Sequence, residues 1–426
     1  MTLTISNSLT IKFLGGTLEV GRSAVAIKSR ETQILLDYGI MIGFEPGFPM
    51  HVHPNEVDGI ILTHSHLDHS GTIPIFHIRG KIPVYGTPLS FELTKLLITD
   101  LIHINGYYLP FEYIDLRSMM DYCVNTNYRE PRKIGDLTLE LLESGHIPGG
   151  AQAIVESNGK RVLYTSDFNS SDTGLLRGAD QDYDNIDVLI MESTYASENH
   201  MDRKMVEQRF INRVIEIVER GGTVLVPAFS VGRSQEILCI LKKFQFKYSV
   251  TVDGMAKDAN KILIRYPNYL RDGELFKAAL NSANWIKGWK DRKLATKKPG
   301  VIISPAGMLR GGNAIFYMNH LSRKSENAIF LVSYQVPNSP GRRLLDTGKF
   351  IIRGKTMKIN AEVDTFDFTS HCGRKQLIKT AKLVGADAKI FLMHGAEENC
   401  QRLAKEIKGE LGLNAISPST GDIYKV

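Results

Sequence analysis

The sequence predicts an α/β fold in which one α/β unit is inserted into a first, β-rich domain. Short apolar segments separated by Gly, Pro and Asn turns dominate the chain up to residue 194. Apolar strands then alternate with helical segments, which is typical of a mostly parallel sheet with helices on both faces. After residue 350, β-segments return. We therefore expect a first domain made of residues 1–194 and 351–426 and an inserted domain at 195–350.

The first part of the chain contains nine strand-like segments and one clear helix. Each strand segment is rich in apolar and β-branched residues and is bounded by turn-forming residues. In chain order they are LTIKFLGG, SAVAIKS, TQILLDYG, DGIILTH, KIPVYG, LTLELLESGH, AQAIVES, RVLYTSD and DVLIMEST. Between the fifth and the sixth, SFELTKLLITDLIHI has its apolar residues at helical spacing.

The inserted part alternates helices with strands. Its helices are MVEQRFINRVIEIVER, RSQEILCILKKF, DANKILIRYP and NAIFYMNHL. Its strands are TVLVPAF, KYSVTVDG, GVIISPA and NAIFLVSY. In the last part, KFIIRGK and MKINAEVDTFDF have strand character, and AKIFLMHG is a strand between two helices.

Composition and charge exclude several classes of protein. An apolar fraction of 43% over 426 residues excludes a largely disordered or fibrous chain. The four cysteines include no C-x-x-C pair, which argues against a disulfide scaffold and a cysteine-built zinc module. The net charge of 52 − 46 = +6 permits a polyanionic partner without requiring one. Neither a secretory leader nor a run of about 18 apolar residues is visible, so we expect a cytoplasmic protein without a membrane partner.

The strongest functional signal is a loop that directly follows the apolar strand GIIL and contains His64, His66, Asp68 and His69. Alternate residues of an extended loop point the same way, so His64 and His66 can converge on one metal while the other two serve a second. Imidazole and carboxylate ligands without thiolate are typical of catalytic zinc with an open coordination position. A surface loop rich in His is the alternative, but four convergent titratable groups rarely serve packing.

Three further polar residues follow predicted strands and lie among small turn residues. They are His146 in ESGHIPGG, Asp167 in LYTSDF and Asp37 in ILLDYG. Side chains at the carboxyl ends of strands can meet at one rim, so each could join the metal site. Taken singly, each is equally well explained as a turn-capping residue.

Taken together, this pattern resembles the metallo-β-lactamase superfamily over the whole chain. The resemblance implies an αββα sandwich and two zinc ions per chain, with manganese as the alternative metal. By this resemblance, His64, His66 and His146 bind the first zinc, and Asp68 and His69 bind the second. Asp167 bridges the two ions. Asp37 would orient the loop from behind these ligands.

Three later motifs resemble those of the β-CASP nucleases, namely Glu192 in MESTYA, His371 in FDFTSHCG and His394 in IFLMHGAEE. In that family the inserted domain caps the metal site and binds nucleic acid, and a third-motif His is typical of RNA-acting members. By this resemblance, His394 completes the second zinc site, while His371, held by Glu192, contacts the scissile phosphate or protonates the leaving oxygen. Considered alone, His371 is better explained as a residue that packs beside a helix N-cap, and Glu192 as an ordinary strand-end carboxylate. The expected catalytic residues are Asp37, Asp68, Glu192 and His371.

Among the RNA-acting members, the segments THSHLDHSGTIP, PAFSVGRSQEIL and SPAGMLRGGNA resemble archaeal relatives of the endonuclease subunit of the mRNA cleavage and polyadenylation specificity factor. The chain is most similar to their short form without a KH extension. This implies a two-metal RNA endonuclease, with a homodimer or other RNA-processing factors as partners. A 5′–3′ exoribonuclease of RNase J type is the alternative. A hydrolase of small thioesters or lactones and a non-catalytic RNA-binding subunit are further alternatives, although neither explains both the insertion and the full ligand set.

Two strand-to-helix segments have the composition of phosphate-binding turns. Ser230 and Arg233 lie at a predicted helix N-terminus, where backbone N–H groups are free to bind a phosphate. The guanidinium group of Arg233 adds a fork of further donors. Gly307 and Arg310 lie in GMLRGG, whose glycines suit either a ligand or a tight turn. Ser370, next to the His of the second motif, completes the expected phosphate- or RNA-binding residues.

A basic segment at residues 285–300, WIKGWKDRKLATKKPG, combines two Trp with six Lys or Arg and one Asp. It is either an RNA-binding surface that stacks bases on its aromatic residues or a solvated basic loop whose Trp side chains belong to the core. The sequence leaves both interpretations open.

Overall fold

The computed structural model describes residues 9–43, 45–336 and 338–426 and divides into two compact units. Unit 1 comprises the described residues up to Asp172, together with Gly178–Asn199 and Ser370–Val426. Unit 2 comprises Thr173–Arg177 and His200–Thr369. The predicted absence of a leader rests in part on residues 1–8, which lie outside the described residues.

The described residues form 22 strands and 12 α-helices. The strands are β1 (Thr10–Gly15), β2 (Ala24–Lys28), β3 (Gln33–Leu36), β4 (Gly59–Ile61), β5 (Val84–Gly86), β6 (Cys123–Asn125), β7 (Arg132–Ile134), β8 (Leu137–Glu143), β9 (Ala151–Ser157), β10 (Lys160–Tyr164), β11 (Val188–Glu192), β12 (Thr223–Pro227), β13 (Ser249–Val252), β14 (Asn284–Trp285), β15 (Gly300–Ser304), β16 (Ala328–Leu331), β17 (Lys349–Ile352), β18 (Lys355–Lys358), β19 (Glu362–Thr365), β20 (Lys389–Met393), β21 (Asn414–Ile416) and β22 (Ile423–Lys425). The helices are α1 (Leu67–Ser70), α2 (Pro88–Asn105), α3 (Tyr113–Asp121), α4 (Arg203–Glu219), α5 (Arg233–Lys243), α6 (Ala256–Leu263), α7 (Gly273–Ser282), α8 (Trp289–Ala295), α9 (Gly312–Leu321), α10 (Pro340–Thr347), α11 (Arg374–Ala381) and α12 (Glu397–Leu411).

Unit 1 is a sandwich of two seven-stranded sheets, ordered β22-β1-β2-β3-β4-β5-β6 and β21-β20-β11-β10-β9-β8-β7. One core lies between the sheets, where Phe13 and Ile34 of the first sheet pack with Val155 and Ile190 of the second. Helices α2 and α3 cover the outer face of the first sheet, and α11 and α12 cover that of the second. The predicted αββα sandwich is confirmed, and alternating apolar residues produce it because each strand buries one or both faces.

Unit 2 is built on a six-stranded sheet ordered β14-β13-β15-β12-β16-β19, with a separate antiparallel hairpin of β17 and β18. All neighbouring strands of the six-stranded sheet are parallel, as predicted for this part of the chain. The expected boundary after residue 350 falls inside unit 2. The physical reason is that β19 completes this sheet, with Ala328 of β16 opposite Glu362.

The carboxyl ends of several unit 1 strands lie at the same edge of the sandwich. In the first sheet, Leu36 at the end of β3 is opposite Ile61 at the end of β4. In the second sheet, Glu192 at the end of β11 is opposite Met393 at the end of β20. The residues that follow these strands are therefore brought together. Within the part of the chain that the structure describes, no helix has the length and apolar character needed to cross a bilayer.

Candidate metal centre

The loop of residues 64–69 is fixed by the segment that follows β3. The backbone N–H of Tyr38 donates to the carbonyl oxygen of His69 over 2.8 Å. The next residue approaches so closely that a Cβ on Gly39 would lie 1.8 Å from the carbonyl oxygen of Asp68. The glycine of the DYG motif is therefore needed for the loop to rest on this segment.

A first group of potential metal ligands contains His64, His66, His146 and Asp167, whose ligand atoms all lie within 4.8 Å of one another. The Nε2 atom of His146 lies 3.0 Å from Nδ1 of His66 and 3.6 Å from Oδ2 of Asp167. The same carboxylate oxygen is 3.8 Å from Nε2 of His64. On its other side, the His146 ring donates from Nδ1 to the carbonyl oxygen of Ser370 over 2.8 Å, which directs Nε2 into the group.

A second group lies on the other side of Asp167 and contains Asp68, His69 and His394. The Nε2 atom of His394 lies 3.4 Å from Oδ2 of Asp68 and 3.3 Å from Nε2 of His69. The Oδ1 atom of Asp167 lies 3.4 Å from Nε2 of His69 and 3.1 Å from Nδ1 of His394. The two carboxylate oxygens of Asp167 thus face different groups of ligands.

Asp37 lies behind the second group and holds it in place. Its side chain is completely buried and accepts hydrogen bonds from the backbone N–H and the hydroxyl of Thr63, both at 2.9 Å from Oδ1. Its Oδ2 atom accepts from Nδ1 of His69 over 2.8 Å and from the hydroxyl of Tyr164 over 3.2 Å. This bond leaves Nε2 of His69 as the ring atom that faces Asp167.

The arrangement fits a divalent metal. Two of its deeply buried atoms, Nε2 of His64 and Oδ1 of Asp167, have no hydrogen-bond partner among the described residues. Buried polar atoms are rarely left unsatisfied in this way. The donor set consists of imidazole nitrogens and carboxylate oxygens, which are ligands that zinc accepts. These residues could therefore hold metal in both groups.

The pKa values of the histidines are shifted in opposite directions by their surroundings. Burial lowers the pKa of His64 and His146 well below the usual value and that of His66 to about 4, which keeps these three rings neutral. Burial acts in the same direction on His69, but the carboxylates around it, Asp167 foremost, outweigh burial and hold the pKa of His69 well above its usual value. Neutral imidazole is the form that binds a metal ion.

Beside the first group, His371 is paired with the buried carboxylate of Glu192. The Nδ1 atom of His371 lies 2.9 Å from each carboxylate oxygen, and the His371 ring centre is 4.5 Å from that of His146. Glu192 also accepts the backbone N–H of Phe168 over 3.1 Å. Burial lowers the pKa of His371, but Glu192 and Asp167 outweigh it and raise the pKa to about 9.

Sequence reasoning missed the hydroxyl residues that link these ligands. Thr63, Tyr164 and Ser166 surround the carboxylate of Asp37, and the Ser166 hydroxyl lies 2.7 Å from that of Thr63. Thr194 hydrogen-bonds the carbonyl oxygen of His394 over 3.0 Å. Thr63 and Ser166 immediately precede His64 and Asp167 in the sequence, and this adjacency is the signal that could have identified them.

The expected phosphate-binding residues lie in different units. In unit 2, Ser230 precedes α5, and Arg233 is the first residue of that helix. Gly307 lies beside the Ser230 turn, since a Cβ on it would be 3.2 Å from the backbone nitrogen of Phe229. Arg310 is exposed. In unit 1, Ser370 contributes its carbonyl oxygen to His146.

The chain matches three domain families in succession. Residues 26–194 match the metallo-beta-lactamase superfamily domain and residues 234–344 the Beta-Casp domain. Residues 356–418 match the Zn-dependent metallo-hydrolase RNA specificity domain. Among solved structures, a protein of unknown function from Enterococcus faecalis V583 aligns with a TM-score of 0.65 at 13% identity, over 98% of this chain and 100% of that one. That likeness shows a shared fold.

Relatives align with nearly the whole chain. RNase aCSPSF2 of Saccharolobus solfataricus is 41% identical over 96% of this chain and 84% of its own length. Probable RNase MJ4 of Methanocaldococcus jannaschii is 36% identical over 98% and 100%, and transcription termination factor FttA of Pyrococcus abyssi is 31% identical over 99% and 72%. With these relatives and the three domains in this order, the chain belongs to the β-CASP ribonucleases of the metallo-β-lactamase superfamily.

Proposed function

We propose that the chain cleaves RNA internally, using two zinc ions held by the two ligand groups, with manganese as the alternative metal. The first ion would be held by His64, His66 and His146, and the second by three residues of the other group: Asp68, His69 and His394. The observation that carries the proposal is the position of Asp167, whose carboxylate oxygens face both groups. A carboxylate in this position would help to hold two metal ions, and two such ions would stabilise the attacking and the leaving oxygen of a phosphoryl transfer.

Divalent ions held there would polarise the phosphodiester and supply a water nucleophile near neutral pH. The chain's own residues contribute orientation and charge. Asp37 fixes the ring of His69 through Nδ1, and the carbonyl of Ser370 does the same for His146. Because the Asp37 carboxylate is completely buried and the Ser370 acceptor is a backbone carbonyl, we expect the ligand atoms to keep their positions before substrate arrives, so that little reorganisation is needed during the reaction.

His371 would act on the leaving group. Its raised pKa of about 9 keeps the ring protonated at neutral pH, and Nδ1 is bonded to Glu192. Nε2 is therefore the ring atom that would donate a proton to the 3′ oxygen as it leaves, or neutralise charge on the scissile phosphate. Cleavage of this kind yields a 5′-phosphate and a 3′-hydroxyl.

RNA as substrate and internal cleavage receive different support. The RNA specificity domain and relatives named as RNases support RNA. The alternative, 5′–3′ exonuclease activity, is favoured by one observation: an RNase J-like protein of Methanocaldococcus jannaschii is 30% identical over 98% of this chain. A cytoplasmic location remains a prediction from the sequence, and a homodimer and other RNA-processing partners remain predictions from the resemblance.

The test compares one RNA in covalently closed circular form and in linear 5′-monophosphate form, with zinc, with manganese and with chelator. Metal-dependent opening of the circle is expected. Release of mononucleotides from the linear form alone would replace the endonuclease with an exonuclease, and inertness toward both would overturn the ribonuclease proposal. Asp167→Ala should lose both activity and bound metal, whereas His103→Ala, at an exposed histidine of α2, should keep both.

A further inference from the structure

The strongest feature outside the metal centre is the surface of unit 2 formed by residues 285–298, called the α8 surface here. It begins at β14, the edge strand of the six-stranded sheet, and continues through α8. The backbone is anchored, since Ile286 is buried and its N–H donates to Val252 of β13. The expected phosphate-binding turns at Ser230 and Gly307 instead follow the carboxyl ends of β12 and β15.

The α8 surface carries uncompensated positive charge. Its five lysines are exposed, and none forms an ion pair with any residue in the described ranges: Lys287, Lys290, Lys293, Lys297 and Lys298. The only acidic residue of the segment, Asp291, accepts the backbone N–H of Lys287 over 2.8 Å. The remaining cation, Arg292, is paired with the buried Asp253 over 2.7 Å. Clustered lysines without acidic partners attract a polyanion.

An exposed aromatic ring stands among these lysines. Trp289 is 62% exposed, so the interpretation of a basic loop with both Trp side chains in the core is wrong for this residue. Two neighbouring side chains contact the ring. Phe316 meets it edge-on, with ring centres 5.0 Å apart, and the guanidinium of Arg292 lies 5.7 Å from its ring centre. An exposed indole with such neighbours is suited to stacking a nucleobase.

A cavity of about 320 Å³ opens beside α8. Its lining includes Trp285, Leu294 and Ala295, and its charged positions are Lys287, Lys298 and Asp291, whose carboxylate accepts the backbone N–H of Lys287. A partly apolar cavity with an aromatic wall and two ammonium groups suits a flat aromatic ring that is attached to a phosphate.

We propose that the α8 surface binds single-stranded RNA, with phosphates along the lysines and unpaired bases on Trp289 and in the cavity beside Trp285. This inference rests on the proposed function, since it assigns the same RNA a second contact in unit 2. Single-stranded RNA is required because stacking on an indole needs a base that is not stacked in a duplex. An acidic peptide would satisfy the lysines but would leave the indole and the cavity without a partner.

The experiment measures binding of a short fluorescein-labelled oligouridylate to the full chain by anisotropy, with chelator present so that RNA stays intact. Trp289→Ala should weaken binding about tenfold, and Trp289→Phe should retain most of the affinity. The triple variant Lys290→Gln, Lys293→Gln and Lys297→Gln should reduce the slope of log Kd against log salt by about 2, since each phosphate contact contributes about 0.7 on a single strand.

A matched triple variant of exposed lysines in unit 1, at Lys382, Lys405 and Lys408, has the same change in net charge and should leave the slope unchanged. Equal slopes for the two triple variants would overturn the inference. So would a polyglutamate peptide that binds as tightly as the RNA and is weakened equally by Trp289→Ala. Cleavage of the circular RNA is measured separately. If the wild type cleaves the circle and the α8-surface variants bind oligouridylate as well as the wild type does, only the RNA-binding role of the α8 surface is rejected. If the wild type does not cleave the circle but its oligouridylate binding depends on Trp289, only the nuclease proposal is rejected.

Discussion

Nδ1 of His371 lies 2.9 Å from both carboxylate oxygens of Glu192, although the two residues are 179 positions apart in the sequence. Glu192 ends β11, and His371 lies in the segment that leads into α11. The pairing connects a buried carboxylate to a ring beside the metal ligands. A histidine with this partner keeps its proton at neutral pH, which a histidine in water largely does not.

We expect Glu192→Gln to move the alkaline limb of the kcat/KM profile for RNA cleavage to lower pH. Glu192 raises the pKa of His371 above the usual histidine value, so the ring keeps its proton at neutral pH and loses it, and with it the activity, as the pH rises further. Glutamine carries no charge, so the pKa of His371 should fall and the limb should shift by about one unit or more. The measurement is the pH profile of cleavage with zinc content determined at each pH.

The control for this shift is Glu406→Gln, which removes a carboxylate that pairs with Arg374 on the α11–α12 side of unit 1. Its limb should coincide with that of the wild type. If Glu192→Gln also leaves the limb in place, the proton lost on the alkaline side does not belong to His371.

Some residues of the site could be predicted from the sequence alone, and others could not. The loop of residues 64–69 could be predicted from residue types and spacing alone, since four potential ligands within six positions are rarely explained by packing. Glu192 and His371 are ordinary residues in isolation, and only the family resemblance singled them out. Their pairing depends on two distant segments meeting at one edge of a sheet, which no local pattern encodes.

Asp37→Asn should weaken binding of the metal in the second group by about 10–100-fold while leaving the first group nearly intact. The carboxylate accepts from Nδ1 of His69 over 2.8 Å, and an asparagine amide can present its donor there and turn the ring. The measurement is zinc competition against a chromophoric chelator, which resolves the two affinities.

The control is Tyr164→Phe, which removes a weaker partner of the same carboxylate, at 3.2 Å. It should change either affinity by less than about threefold. Equal losses in both groups would show that Asp37 supports the sandwich as a whole.

Gly39→Ala should destabilise the chain by about 3 kcal/mol or prevent the loop of residues 64–69 from docking. The added methyl would lie 1.8 Å from the carbonyl oxygen of Asp68, which is backbone and cannot move away alone. Gly409→Ala in α12 is the matched control, because a Cβ there meets nothing within 4 Å and should stabilise the helix by up to about 1 kcal/mol. Urea unfolding measures both. A Gly39→Ala protein as stable as the wild type, with normal zinc content, would contradict the described contact.

The fold was predicted best where a strand or helix buries a regular face. The parallel strands β12, β13, β15 and β16 and helix α2 have continuous apolar patterns and were expected. Strand β14 and helices α3, α7, α8 and α10 are among the elements that were missed. Helix α3 begins with reciprocal bonds between Glu112 and Asp115, and α8 has no buried residue among those described. Helices of this kind are specified by capping and by their neighbours, so apolar periodicity does not reveal them.

His77 should make the stability of the chain depend on pH below neutrality. Its ring is 3% exposed, neither ring nitrogen has a hydrogen-bond partner among the described residues, and burial lowers its pKa to about 4. Between that value and the unfolded pKa of about 6.5, the unfolded state binds the proton and the folded state does not, so stability falls as the pH falls through this window. Lowering the pH from 7 to 5 should reduce the free energy of unfolding of the wild type by about 2 kcal/mol more than that of His77→Leu.

Urea unfolding with chelator at both pH values measures this difference. The metal ligands contribute equally to both proteins. The control is His103→Leu, at an exposed histidine, which should behave like the wild type. The same pH dependence in the wild type and in His77→Leu would mean that the buried ring finds a proton acceptor in the folded state.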